Sequence, residues 1–75
     1  MTAETIRELL KAAPFKPFTV RIVEQGLVQV PHPDFALLTQ GGAELIVNIE
    51  GNRLKFIDVR SISSISKESD VDAAA

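Results

Sequence analysis

The sequence of 75 residues predicts a small α+β domain that is mainly β: an N-terminal helix followed by a strongly bent antiparallel sheet of about five strands, forming a small barrel. Three observations support this. Apolar residues first recur with helical spacing, two prolines then interrupt the chain, and from Phe18 onward apolar and polar residues alternate as in strands. We expect residues 1–66 to form one domain and residues 67–75 to form a flexible acidic tail.

The N-terminal helix is predicted from its cap and its periodicity. Thr2 can cap it, and Glu4 lies in the first turn, where the helix dipole favours an acid. One apolar stripe recurs at i, i+3, i+4 and i+7, and it consists of Ile6, Leu9, Leu10 and Ala13. Because a helix of about ten residues is marginal in isolation, this stripe must pack against the rest of the domain.

The joint between helix and sheet is the segment Pro14-Phe15-Lys16-Pro17-Phe18. Pro14 lacks an amide donor and disfavours helical dihedral angles at the preceding residue, so the helix must end there. We expect the rings of Phe15 and Phe18 to be buried between helix and sheet.

The first hairpin follows from strict alternation. Phe18, Val20 and Ile22 point to one face. A three-residue loop, Glu24-Gln25-Gly26, would pair Ile22 with Val28, which places apolar side chains opposite one another.

A proline corner, Pro31-His32-Pro33-Asp34, ends the second strand, and Pro33 suits the first turn of a short or 3₁₀ helix. We expect the residues that follow to be buried anchors, namely Phe35, Leu37 and Leu38. His32 is the only histidine, and without a second histidine or any cysteine we interpret it as structural, not as a metal ligand or a catalytic group.

The second hairpin is predicted to turn at Gly51-Asn52, between strands 43–49 and 53–59. A two-residue loop sets Ile46 opposite Ile57 on the outer face. These two residues and Val59 form the predicted partner surface. We expect the helix stripe to cover this face, and a second subunit is the alternative.

The last element is a short strand that Ile62 and Ile65 open after a tight link, Asp58-Val59-Arg60-Ser61. Serines cluster around it, and we interpret them as strand-surface residues, because nothing in their spacing brings His32 near any of them as a base.

Composition excludes several classes of function. The net charge is −2 with a pI near 5.2, and the basic residues are spread along the chain, which is not the pattern of a protein that binds duplex nucleic acid. The absence of cysteine fits a reducing compartment, and no apolar run approaches a membrane span. We therefore expect a cytoplasmic protein that is not an enzyme, needs no cofactor or metal and does not enter a membrane.

Two resemblances bear on these expectations. The P-F-x-P-F joint at Pro14–Phe18, the turn at Gly26 and the H-P-x-F corner at His32–Phe35 resemble those of small bacterial proteins of about this length with no established function, so this resemblance implies no activity. The order of one helix and about five strands resembles the Sm-like type of SH3-like barrel. The segment Val59–Ile65 is similar to the second Sm signature, with Ser61 in place of its usual glycine.

The sequence thus predicts a non-enzymatic interaction or regulatory module, which self-associates through strand edges or through the face that carries Ile46 and Ile57. The same hypothesis allows a different protein as a partner of these surfaces. The alternative, implied by the Sm-like resemblance, is an RNA-binding protein, and its candidate contacts are Arg21, Arg53, Lys55 and Arg60.

Overall fold

The computed structural model describes residues 2–67 and shows one N-terminal helix and six strands, a mainly β member of the α+β class. This confirms the predicted class. The elements are α1 (Ala3–Lys11), β1 (Phe18–Ile22), β2 (Gly26–Val30), β3 (Ala36–Leu38), β4 (Glu44–Glu50), β5 (Arg53–Asp58) and β6 (Ile62–Lys67), with 3₁₀ turns at Pro33–Phe35 and Val59–Ser61. The predicted acidic tail lies almost wholly outside the described residues.

The helix α1 begins as its capping residue predicts. The Thr2 hydroxyl accepts a hydrogen bond from the Thr5 amide at 3.4 Å, and Arg7 pairs with Glu4 at 3.1 Å. Ile6 is fully buried and Leu9 and Leu10 pack partly against the core, so the apolar stripe supplies the docking that so short a helix requires.

The strands form two antiparallel sheets of three strands each: a first sheet in the order β2-β1-β6 and a second sheet in the order β3-β4-β5. The predicted single sheet of about five strands is wrong, and the described strands do not form a closed barrel. The reason lies in the two 3₁₀ turns. Pro33–Phe35 separates β2 from β3, and Val59–Ser61 separates β5 from β6, so the chain changes sheet at each turn.

The first hairpin has the predicted faces with a different register. Val20 lies opposite Val28 and Ile22 opposite Gly26, two residues away from the predicted pairing. The loop is Val23-Glu24-Gln25, because Glu24 takes the left-handed φ of 62° and Gly26 already belongs to β2. A shift of two residues preserves the alternation, so the same side chains still point inward.

The second hairpin has the predicted turn at Gly51-Asn52, and its register changes within three residues of that turn. Glu50 lies opposite Arg53 as predicted, but a bulge at Ile49 then places Asn48 opposite Leu54. The seven residues of β4 thereby face the six of β5. Beyond the bulge every predicted pair is displaced by one residue, so Ile46 lies opposite Phe56 and Leu45 opposite Ile57.

The core lies between the inner faces of the two sheets and is closed by the helix. Phe18 is its largest fully buried side chain, and the Phe15 ring packs beside it with the ring centroids 6.0 Å apart. The predicted burial of Phe18 at the joint is thus confirmed, and Phe15 is half-buried. The buried core consists of Ile6, Phe18, Val20, Ile22, Val28, Val30, Leu45, Val47, Ile57, Val59 and Ile62.

Within residues 2–67 the helix is too short to span a bilayer.

Candidate interaction surface

The outer face of the second sheet carries a row of apolar side chains. Leu37 on β3 lies opposite Ile46 on β4, which in turn lies opposite Phe56 on β5. Leu54 lies two residues from Phe56 on the same face, because side chains in a strand alternate between faces. We call these four residues, Leu37, Ile46, Leu54 and Phe56, the outer apolar face.

This face is open to solvent. Leu37 and Phe56 are each 61% exposed and Leu54 is 55% exposed, whereas Ile46 at the centre is half-buried by its neighbours. The outer face of the first sheet is different, because Leu27 is the one exposed apolar side chain in its paired rows. The others there are polar, namely Thr19, Arg21, Gln29, Ser64 and Ser66. The contrast singles out the second sheet as the apolar surface.

The predicted partner surface is therefore corrected. Ile57 and Val59 are 2% and 4% exposed and belong to the core, so neither faces a partner. Ile46 is retained. The expected cover by the helix is also wrong, because the stripe of α1 sends Ile6 into the core beside the inner faces and leaves Leu37 and Phe56 exposed.

Sequence reasoning missed Phe56, Leu54 and Leu37 for different reasons. The bulge at Ile49 reversed the faces predicted for β5. The observed register pairs Val47 with Lys55 and Asn48 with Leu54, so matching apolar with apolar side chains favoured the register without a bulge. Leu37 was expected to be buried together with Phe35, yet Phe35 is 44% exposed. In β3, Ala36 and Leu38 face inward and leave Leu37 on the outer side.

Charged residues border the two ends of the outer apolar face. Glu44 lies opposite Asp58 at one end of the β4–β5 pair, and Glu50 lies opposite Arg53 at the other. Asp58 is held by Arg60: the guanidinium Nη2 donates to Oδ2 at 2.9 Å and Nε donates to Oδ1 at 3.2 Å. The backbone amide of Arg60 also donates to Oδ1 at 2.9 Å, which caps the second 3₁₀ turn and confirms the tight link predicted there.

These hydrogen bonds favour the charged forms of both side chains. The Arg60 side chain, followed by its backbone amide, lowers the pKa of Asp58 to about 2 from an ordinary value of 3.8, and the same contact raises the pKa of Arg60. Since the folded-state pKa is depressed, the resulting stabilisation is fully present above about pH 4 and is lost as the pH falls toward 2.

The Asp58 carboxyl is therefore expected to titrate near pH 2 when it is followed by carbon-detected NMR. Replacing Arg60 by glutamine removes the guanidinium, with its positive charge and its Nε and Nη2 donors, so the midpoint should rise toward the ordinary value. Arg53→Gln removes the same charge away from Asp58 and should leave the midpoint unchanged. A midpoint close to the ordinary value in the unmodified protein would contradict the observed pair.

The four candidate RNA contacts lie on three elements. Arg21 is exposed on β1, Arg53 and Lys55 lie at the start of β5, and Arg60 is bound by Asp58. The ion pair of Arg60 competes with any phosphate for the same donors. RNA binding through these residues stays a prediction from the sequence.

His32 lies in the corner between β2 and the first 3₁₀ turn. Its Nδ1 accepts a hydrogen bond from the Asp34 amide at 3.3 Å and so caps the first 3₁₀ turn, which begins at Pro33 as expected. The His32 and Phe35 rings lie 6.2 Å apart. In the part of the chain that the structure describes, no cluster of three histidine, cysteine or carboxylate side chains is arranged to hold a metal ion.

Comparison with known proteins yields no relative. No family model, curated protein or solved structure matches the chain. The resemblances noted in the sequence therefore stay predictions, and the function has to be inferred from the outer apolar face and its charged ends.

Proposed function

We propose that this protein is a non-enzymatic interaction module of the cytoplasm that self-associates through the outer apolar face. The observation that supports this proposal most is the apolar row of Leu37, Ile46 and Phe56 across all three strands of one sheet, in which Leu37 and Phe56 are exposed. Contiguous apolar surface of this kind is typical of an interface, whereas isolated exposed apolar residues are not.

The charges at the ends of the face are compatible with a second copy of the chain as its occupant. In a symmetric dimer the same patch meets itself. If the two-fold axis runs along the row Leu37–Ile46–Phe56, the end of one sheet that carries Glu44 lies over the end of the other sheet that carries both Glu50 and Arg53, so Arg53 offsets the repulsion between the two carboxylates. Arg53 is exposed and makes no ion pair with any residue from 2 to 67, so it is available to a carboxylate of a second copy.

The area of the face places the expected dimer among small interfaces, which are typically weak and transient. The exposed fractions of these large side chains leave on the order of 400 Å² of apolar surface, about half of the ~800 Å² that a standard interface buries on each partner. The charged ends extend the contact. We therefore expect a dimer with a dissociation constant in the micromolar range, on the order of 10 to 100 µM.

Sedimentation equilibrium over that concentration range tests the proposal. The unmodified protein should dimerise, and Phe56→Glu should weaken the dimer by about 30-fold or more, because it replaces the one aromatic ring of the face with a charge that faces its own copy. The exposed position of Phe56 allows the monomer to remain folded, which circular dichroism and amide NMR spectra should show.

The matched control is Val23→Glu. Val23 is 54% exposed in the loop of the first hairpin, away from the outer apolar face, so this change adds the same charge at another exposed apolar position. It should leave the dimer intact. A strictly monomeric protein, or equal effects of the two changes, would refute the proposed interface.

A further inference from the structure

A second feature of the fold is an open groove between the two sheets. Its volume is about 550 Å³. One wall is formed by β2 and its flanks, and the other by the first 3₁₀ turn, the bulge of β4 and the start of β5. The outer apolar face does not line this groove, so the inference drawn from it is independent of self-association.

The wall formed by β2 is a strand edge. This strand pairs with β1 alone among the described strands, so its other edge is unpaired within the described residues. Val28 points to the core and Leu27 and Gln29 point outward, yet all three line the groove. Side chains from both faces of β2 can line the groove only if the edge of the strand faces the groove. On that edge, alternate backbone amides and carbonyls are available to pair with a further strand.

The residues of the opposite wall indicate which side chains a strand bound to the edge of β2 would need in order to fit the groove. Ile49 and Phe35 are each 44% exposed and offer apolar contact. Lys55 is the only charged side chain among the described residues that line the groove, and it makes no ion pair within residues 2–67. A cation with no neighbouring carboxylate in the groove favours an acidic group on the ligand.

We propose that the edge of β2 binds an extended peptide from another protein, which adds to the first sheet as a strand. The peptide carries an apolar side chain that packs against Ile49 and Phe35 and an acidic side chain that pairs with Lys55. Backbone hydrogen bonds to β2 provide affinity, and these two side-chain contacts provide selectivity.

Amide NMR with a defined probe tests this binding mode. The probe is a short capped peptide of alternating valine and threonine with one central glutamate. Titration should shift the amide signals of Gly26–Val30, and the matched peptide with lysine in place of glutamate should bind roughly threefold to tenfold more weakly. Methylation of alternate backbone nitrogens of the glutamate peptide should abolish the shifts, because it removes the donors of an added strand.

The variant Lys55→Glu should reverse the preference, so that the lysine peptide binds more tightly than the glutamate peptide. The control is Lys67→Glu, the same change on β6, which β1 separates from β2; it should preserve the original preference. The titration is repeated with the Phe56→Glu variant, which should not dimerise. Peptide binding is thereby measured independently of the proposed dimer, and either proposal can fail alone.

Three results would overturn the inference: no shift of the β2 amides with either peptide, a methylated peptide that binds as well as its parent, or a preference that Lys55→Glu leaves unchanged. Shifts of the same amides that grow with protein concentration alone would identify a second copy as the occupant and would also contradict it.

Discussion

Replacing Phe18 by alanine is expected to destabilise the domain by about 3–5 kcal/mol, the largest effect of any single truncation in this chain. Phe18 is only 2% exposed, packs against Phe15 and pairs with both neighbours of β1, namely Val30 on β2 and Lys67 on β6. A domain of this length is stabilised by roughly 4–11 kcal/mol in total, so the loss would leave it close to unfolding.

Urea denaturation followed by circular dichroism measures this effect. The matched control is Phe35→Ala, which removes the same ring from a position that is 44% exposed and should cost less than about 1 kcal/mol. Similar losses at the two positions would show that Phe18 is not at the centre of the core.

Gly42→Ala is expected to destabilise the domain by about 2–4 kcal/mol, because two penalties add. A Cβ atom at Gly42 would lie 2.6 Å from the Cβ of Ala3, so the start of helix α1 would have to move away from the loop before β4. Gly42 also has a φ of 78°, a backbone conformation that residues with a side chain rarely adopt.

The neighbouring Gly41 provides the control. An added Cβ there meets nothing within 4 Å and its φ is not positive, so Gly41→Ala should change the stability by no more than about 0.5 kcal/mol. Combining Gly42→Ala with Ala3→Gly should recover the steric part of the loss and leave the part due to φ. No coupling between the two positions would contradict the close approach of helix and loop.

Much of the fold follows from the sequence because local chemistry determines it. Thr2 caps the helix, the prolines end it, and the alternation of Phe18, Val20 and Ile22 identifies the face that is buried. The arrangement of the strands into two sheets did not follow. Each 3₁₀ turn was predicted as a local corner, and no local pattern states that the chain changes sheet there.

The candidate site was harder to predict than the fold because it depends on a single bulge. One extra residue at Ile49 exchanges the faces of β5, which turns Phe56 outward and Ile57 inward. Ile46 was the one predicted partner residue that stayed outside. Free strand edges were expected from the sequence, but the groove beside β2 was not predicted, because it depends on how β2 lies against the bulge of β4 in the other sheet.

Intermolecular nuclear Overhauser effects in a mixed sample test the central claim most directly. One copy carries labelled methyl groups and the other carries labelled phenylalanine rings, at a concentration where the dimer is populated. We predict contacts between the methyl groups of Ile46 and Leu54 and the ring of Phe56 of the second copy. Intermolecular contacts confined to other surfaces, such as the loop at Val23, would contradict an interface on the outer apolar face, as would their complete absence.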